Sequence, residues 1–297
     1  MELYRVKLTP TSSFLTTLKG DTLFGQLCWA LRYLEGETRL DKLLEGYTEG
    51  KPFVVVSDAF PIGLFPKPHL PMEILGEDPE LKKENRKRRW LDIESLQKGL
   101  FSNALSDKKA KVSFAQMLEV HNAINYKTSR TGDGFDPFSY AVIDYPEMEF
   151  YCLIDSERMD VGTLEKAISF IGESGYGKKS TVGKGRFVFE GMEPVSFNVR
   201  GKAFMSLSPL VLDGLDAKAV YYDTFVRFGK HGSLYARRKA FKKPVLMADT
   251  GCVVCLESEE ELHFMGKGIT GLSDVYPKTV HQGYAITIAV GVNHAKL

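Results

Sequence analysis

Gly172-Glu-Ser-Gly175-Tyr176-Gly177-Lys178-Lys179-Ser180-Thr-Val-Gly183-Lys184-Gly185-Arg186-Phe187 joins a helical pattern to a strand-like one. Upstream, Leu164, Ile168 and Ile171 recur at helical spacing, and downstream Phe187-Val188-Phe189 reads as a strand. The stretch holds five glycines and four basic residues. Glycine permits φ > 0 and a close approach of backbone to a ligand. Successive exposed N–H groups in such a loop form anion-binding concavities, to which the Lys and Arg side chains add charge. The combination suits phosphates, either of a nucleotide or of a nucleic acid.

Nucleotide spacings fit poorly. A Walker A loop needs G-x-x-x-x-G-K-[ST] after a strand and before a helix. Gly172 to Gly177-Lys178 has that spacing, but Lys179 stands where Ser or Thr is required, and the helix precedes the loop. A dinucleotide G-x-G-x-x-G fails at Ser180. A flexible basic surface loop is the plainer alternative. The residues fit an RNA backbone clamp better, with Gly175, Tyr176, Gly177, Lys178, Lys179, Ser180, Gly183, Lys184 and Arg186 as its contacts.

Outward from the loop, residues 2–8 alternate as a strand, and Asp21 is a candidate N-cap for a helix carrying Leu23, Leu27, Ala30, Leu31 and Leu34. A short helix is expected around 40–44, strands at 53–57 and 149–154, a helix at about 161–172 and a strand at 186–190. The order is βαββαβ, a ferredoxin-like unit whose sheet face serves many single-strand RNA binders. An insertion at about 60–145 interrupts it, opening with Pro61, Pro66, Pro68 and Pro71 and continuing into a basic helix expected at 79–91. Beyond about 195 the pattern is strand-rich and lacks evident helices. The α+β chain therefore divides into residues 1–195, a ferredoxin-like domain with its insertion and glycine-rich loop at 175–186, and 196–297, a second, degenerate copy.

His121-Asn122-Ala-Ile-Asn125-Tyr126-Lys127-Thr-Ser-Arg130-Thr-Gly-Asp-Gly-Phe135 is dense in side chains that reach phosphates and base edges, and Tyr126 or Phe135 can stack on a base. His121 with Lys127 or Arg130 could nominally cleave RNA without metal. The surrounding residues favour a binding hairpin, since no acid/base partner for His121 is evident. Arg237 and Arg238 belong to a further basic cluster.

The 297 residues are 43% hydrophobic with a net charge of +1, enough apolar content for sizeable cores. Nucleic-acid binding depends on where charge sits rather than on its sum. No apolar run approaches a membrane span, the N-terminus lacks a signal peptide's core, and a cytoplasmic protein is expected. Cys252-Val-Val-Cys255 sits in a strand-like run without a second pair, so two buried thiols are expected and no metal or other cofactor.

Five segments, in order, resemble the RAMP (repeat-associated mysterious protein) family of CRISPR systems. Gly20-Asp-Thr-Leu-Phe-Gly-Gln-Leu-Cys-Trp-Ala30 is similar to its first-helix signature, 121–135 to its Asn-rich segment, and 175–187 to its glycine-rich loop. Ser57-Asp58-Ala59-Phe60-Pro61 with Leu64-Phe-Pro-Lys-Pro68, and Val280-His281-Gln282-Gly283-Tyr284-Ala285, resemble the type III-A (Csm) RAMP subunit that caps the guide RNA's 5′ end. The resemblance implies a tandem ferredoxin-like RAMP fold and a non-catalytic role. The glycine loop and sheet face would grip the repeat-derived 5′ tag of the crRNA, and a hairpin from the insertion would wedge at the tag–guide junction. The implied protein partners are the large polymerase-like subunit and a backbone RAMP subunit, which carries the cutting aspartate; Asp21 is not expected to be catalytic. The alternative is a metal-independent endoribonuclease using His121.

Overall fold

A computed structural model describes residues 1–292 apart from 132, 133, 135, 215, 233, 234 and 237–239. The first sheet contains β1 (Glu2–Pro10), β2 (Val54–Val56), β3 (Met148–Ile154) and β4 (Phe187–Pro194), with α1 (Gly20–Glu35) after β1 and α2 (Val161–Ser174) after β3. All pairs are antiparallel, and the spatial order is β4-β1-β3-β2. The element order is that of the ferredoxin-like motif.

Alternation along the strands decides which side chains meet the helices. Val6 and Leu8 of β1, opposite Phe150 and Met148 of β3, are buried on the helix side. They meet the α1 stripe of Leu23, Phe24, Leu27, Ala30 and Leu31 and the α2 stripe of Leu164, Ala167, Ile168 and Ile171. Asp160 caps α2, its carboxylate accepting from the Thr163 amide at 2.8 Å. Asp21 does not cap α1. Lys19 holds that position without a side-chain capping bond, and Asp21, in the first turn, turns inward to Arg227.

The opposite sheet face is not an open platform. Tyr151 is 2% exposed and lies between Phe65, stacked at 5.6 Å, and Phe197 at 5.0 Å. Leu153 and Val55 beside it are buried as well. The start of the insertion provides much of this cover. The basic segment 79–91 is also not one helix. Pro79–Leu81 is a 3-10 turn, Lys82–Lys87 a short α-helix, and Arg88–Leu91 a strand between Phe65–Pro66 and Leu105–Ser106. Leu91, Leu96 and Phe101 join the main core, so this part of the insertion is not held away from the body. The rest extends as an antiparallel hairpin, Ala115–His121 with Phe138–Asp144.

Among the described residues, no α-helix follows residue 195. β5 (Arg200–Ser206), β6 (Ala219–Tyr221), β7 (Val253–Glu261) and β8 (Tyr284–Ala289) lie in the order β6-β7-β5-β8, with Phe264–Gly266 beyond β8. Numbered within each sheet, both sets of four strands follow the order 4-1-3-2. The run 219–228 breaks at the exposed Tyr222-Asp223 into β6 and a separate strand, Thr224–Arg227, which pairs with Val245–Ala248. Cys252 and Cys255 are buried free thiols, and burial raises the pKa of Cys252 to about 12.

The two halves share one apolar core and a polar seam. The Asp58 carboxylate accepts from the Gly20 amide at 2.7 Å and the Thr250 hydroxyl at 2.5 Å, with the Lys19 ammonium 3.0 Å away. Arg227 grips Asp21 through two bonds, 2.5 and 2.6 Å. The Gln282 amide pairs with the backbone of Val56, donating at 2.7 Å and accepting at 2.9 Å. His281 lies 3.5 Å from Asp21. Burial lowers its pKa from 6.5 to about 4; nearby Lys242 and Arg227 add to the effect and Asp21 opposes it. The folded chain thus keeps this imidazole neutral while the unfolded chain protonates near pH 6.5. Its contribution, on the order of 3 kcal/mol, is complete above pH 6.5 and is lost as pH falls toward 4. Urea unfolding across that window should show the decline, and His281→Gln should flatten it; an equally steep decline in the variant would exclude His281 as its source.

Candidate nucleic-acid interface

The segment between β1 and α1, residues 11–19, organises the surface. It bonds the glycine loop on one side. Thr11 donates to the Arg186 carbonyl at 2.9 Å, Gly185 to the Ser13 carbonyl at 3.0 Å, and the Arg186 amide to the Ser12 hydroxyl at 2.8 Å. The Lys178 amide donates to the Thr16 hydroxyl at 3.0 Å. On the other side, Phe14 and Ile143 exchange backbone hydrogen bonds of 2.8 Å at the hairpin root. The glycine loop and the hairpin, separated in sequence by β3 and α2, are thereby drawn to one place.

Tyr176 does not face a ligand. It is fully buried, and its hydroxyl donates to the Thr17 carbonyl at 2.8 Å, so it anchors the loop. Its apolar ring outweighs its neighbours' polarity in placing it. Gly185, at φ 72°, is held so close that a Cβ would overlap the Tyr176 carbonyl oxygen. Gly183, at φ 88°, has open space around it. Gly175 is buried, Gly177 packs on Thr16, and Ser180 opens a 3-10 turn, Ser180–Val182. Lys178, Lys179 and Arg186 are exposed.

The hairpin register sets Glu119 opposite Tyr140 and His121 opposite Phe138, placing these four side chains on one face. That face meets the glycine loop. Lys184 pairs with Glu119, and its hydrogen bond holds the Glu119 carboxyl below the usual carboxylate range. Lys178 and Lys179 carry their ammonium groups over the Tyr140 ring, 4.7 and 5.0 Å from its centre. Among the described residues neither has a carboxylate partner. His121 is stacked on Phe138 at 5.6 Å. Among the described residues its Nε2 has no hydrogen-bond partner, and Glu119 lies 3.5 Å away.

Of the expected hairpin contacts, Asn122, Tyr126, Lys127 and Arg130 are exposed, Tyr126 at 86%. Asn125 is occupied within its own turn, its side chain accepting from the Lys127 amide at 3.0 Å. Lys127 lies 5.9 Å from the Tyr126 ring centre. Arg237, Arg238 and Phe135 lie outside the described residues. Glu119, Phe138, Tyr140 and Thr16 were not singled out in the sequence. Only Phe138-x-Tyr140 opposite Glu119-x-His121 marks the first three, and that pattern emerges only once the register is known.

This arrangement, a ferredoxin-like sheet with a glycine-rich loop before its last strand, is that of a RAMP protein. The RAMP superfamily model matches residues 10–188, and the chain belongs to this superfamily. A similar protein is "CRISPR system Cms protein Csm4" of Thermococcus onnurineus (strain NA1), 26% identical over 201 residues, which cover 62% of this chain and 66% of that one. The fold resembles a chain of the Csm1–Csm4 cassette in complex with cA4, with TM-score 0.63 and 16% identity, covering 99% of this chain and 100% of that one. A chain of the Csm3–Csm4 subcomplex of the type III-A CRISPR–Cas interference complex matches with TM-score 0.58 and 19% identity, covering 97% and 99% respectively. Among the described residues, no helix is long and apolar enough to cross a membrane.

The two glycine environments separate experimentally. Gly183→Ala should cost about 1 kcal/mol from its positive φ alone. Gly185→Ala adds the clash with Tyr176 and should cost roughly 2–3 kcal/mol more. Thermal unfolding of the two variants reads this difference, and equal melting temperatures would contradict the tight loop closure.

Proposed function

We propose that this chain is a non-catalytic RNA-holding subunit of a type III-A (Csm) CRISPR effector complex. It grips the repeat-derived 5′ tag of the crRNA and bridges the large polymerase-like subunit to the backbone RAMP subunit. The observation that carries the reading is the convergence of the glycine loop with the hairpin face, where Lys178 and Lys179 have no carboxylate partner among the described residues. Exposed cations beside left-handed backbone suit phosphates. The assembly partners follow from likeness to chains named in Csm1–Csm4 and Csm3–Csm4 assemblies. The matching 4-1-3-2 order supports a tandem arrangement, with 196–297 as a helix-poor second ferredoxin-like unit.

Asp21 is a poor candidate for chemistry, being buried and held at both oxygens by Arg227. The hairpin, whose exposed tip bears Tyr126 and Ile124, is suited to separate the tag from the guide. The covered sheet face is not part of the grip.

Affinity for single-stranded tag RNA should fall with salt. Replacing Lys178, Lys179 or Arg186 by Ala should reduce the slope by about 0.7 per lost phosphate contact. Lys184→Ala should change the slope less, because Lys184 is already paired with Glu119. An unchanged slope in the triple variant would remove the loop from the interface.

His121 next to Glu119 is the geometry that a ribonuclease reading would use. Incubating the pure chain with labelled repeat RNA, with and without metal, should leave the RNA intact. Defined cleavage that disappears in His121→Ala would overturn the non-catalytic reading.

A further inference from the structure

The hairpin face carries an aromatic group that neither the glycine loop nor the hairpin tip accounts for. His121 and Phe138 are cross-strand partners with rings 16° from parallel, 5.6 Å between centres. Tyr140 lies 5.4 Å from His121 and meets Phe138 edge to face at 5.2 Å. Phe138 is 40% exposed, so part of its ring is open to solvent. Two lysines approach this group, and beside them Glu119 is paired with Lys184. The cluster has apolar ring faces, a local surplus of positive charge and an anion-suited loop beside it. That is the composition of a single-strand nucleotide site, in which a base stacks and cations hold its phosphates.

We propose that Phe138, His121 and Tyr140 form a stacking platform for one unpaired RNA base. Lys178 and Lys179, which rest over Tyr140 in the free chain, move to the phosphates flanking that nucleotide. The inference rests on the RNA-holding function proposed above and places one of its contacts. A protein side chain could also cover exposed rings, but Lys178 and Lys179 add two charges within about 5 Å that have no carboxylate partner among the described residues, which a phosphate-bearing ligand neutralises best. Stacking is tolerant of base identity. The platform should therefore contribute affinity and register more than sequence choice.

The test uses the full chain and single-stranded tag RNA carrying 2-aminopurine at successive positions. Wild-type protein should quench fluorescence strongly at one position. The Phe138→Leu/Tyr140→Leu double variant should lose that quench and bind roughly 5- to 150-fold more weakly, the range for one stacked base. Its salt slope should stay unchanged, since no phosphate contact is removed. Tyr140→Trp should keep the quench, and an unchanged melting temperature in all variants shows that folding is intact. Quench and affinity at wild-type levels in the double variant would overturn the platform while leaving RNA holding in place. Failure of the wild-type chain, alone and in the assembled effector, to bind tag RNA would overturn the RNA-holding function and the platform with it.

Discussion

The Asp58 carboxylate joins three parts of the chain: the first turn of α1 through the Gly20 amide, the C-terminal half through Thr250, and the segment before α1 through Lys19. Removing one member of such a buried set leaves charge or donors without partners, typically at about 3–5 kcal/mol. Its geometric effect is broader than its energy. Gly20 is close enough to Val56 that a Cβ would overlap the Val56 carbonyl oxygen, so the start of α1 cannot be displaced without parting β2 from it. Arg227 on Asp21 and Gln282 on Val56 close the same seam from the other half. With α1 held there, residues 11–19 are strung between β1 and a fixed helix start. They in turn hold the glycine loop and the hairpin root.

That dependence moves the candidate functional surface from the sheet to its edge. Many single-strand RNA binders built on this motif stack bases on an open sheet face. Here Phe65 and Phe197 cover Tyr151, and the early insertion contributes Leu91, Leu96 and Phe101 to the core. The polar, glycine-rich elements remain available because they lie beyond the strand ends. Exposed loops at strand ends on a rigid body are where binding residues usually gather.

Charge follows the same local logic. The chain is nearly neutral, yet two lysines beside the glycine loop are without carboxylate partners among the described residues, while Lys184 is engaged by Glu119. Glu119 gives the loop a definite position against the hairpin and reduces its positive charge by one. The candidate site therefore balances preorganisation against the positive charge that the proposed phosphate contacts need.

Local chemistry was enough to read the βαββαβ order, the glycine-rich loop, the strand-rich second half and the buried Cys252 and Cys255. Periodicity of apolar residues, turn glycines and proline breaks act over a few residues and leave a direct mark. The same short-range reasoning placed Asp21 at a cap, extended a helix through Arg88–Leu91, set Tyr176 toward RNA and left the sheet face open. Each of these depended on a partner far away in the chain: Arg227 for Asp21, the strand Leu105–Ser106 for 88–91, Thr17 for Tyr176, and Phe65 and Phe197 for the sheet. Only the tertiary structure brought Glu119, Phe138 and Tyr140 against the glycine loop. Their meeting requires both the hairpin register and the 11–19 tether, and neither is encoded at the positions where those side chains stand.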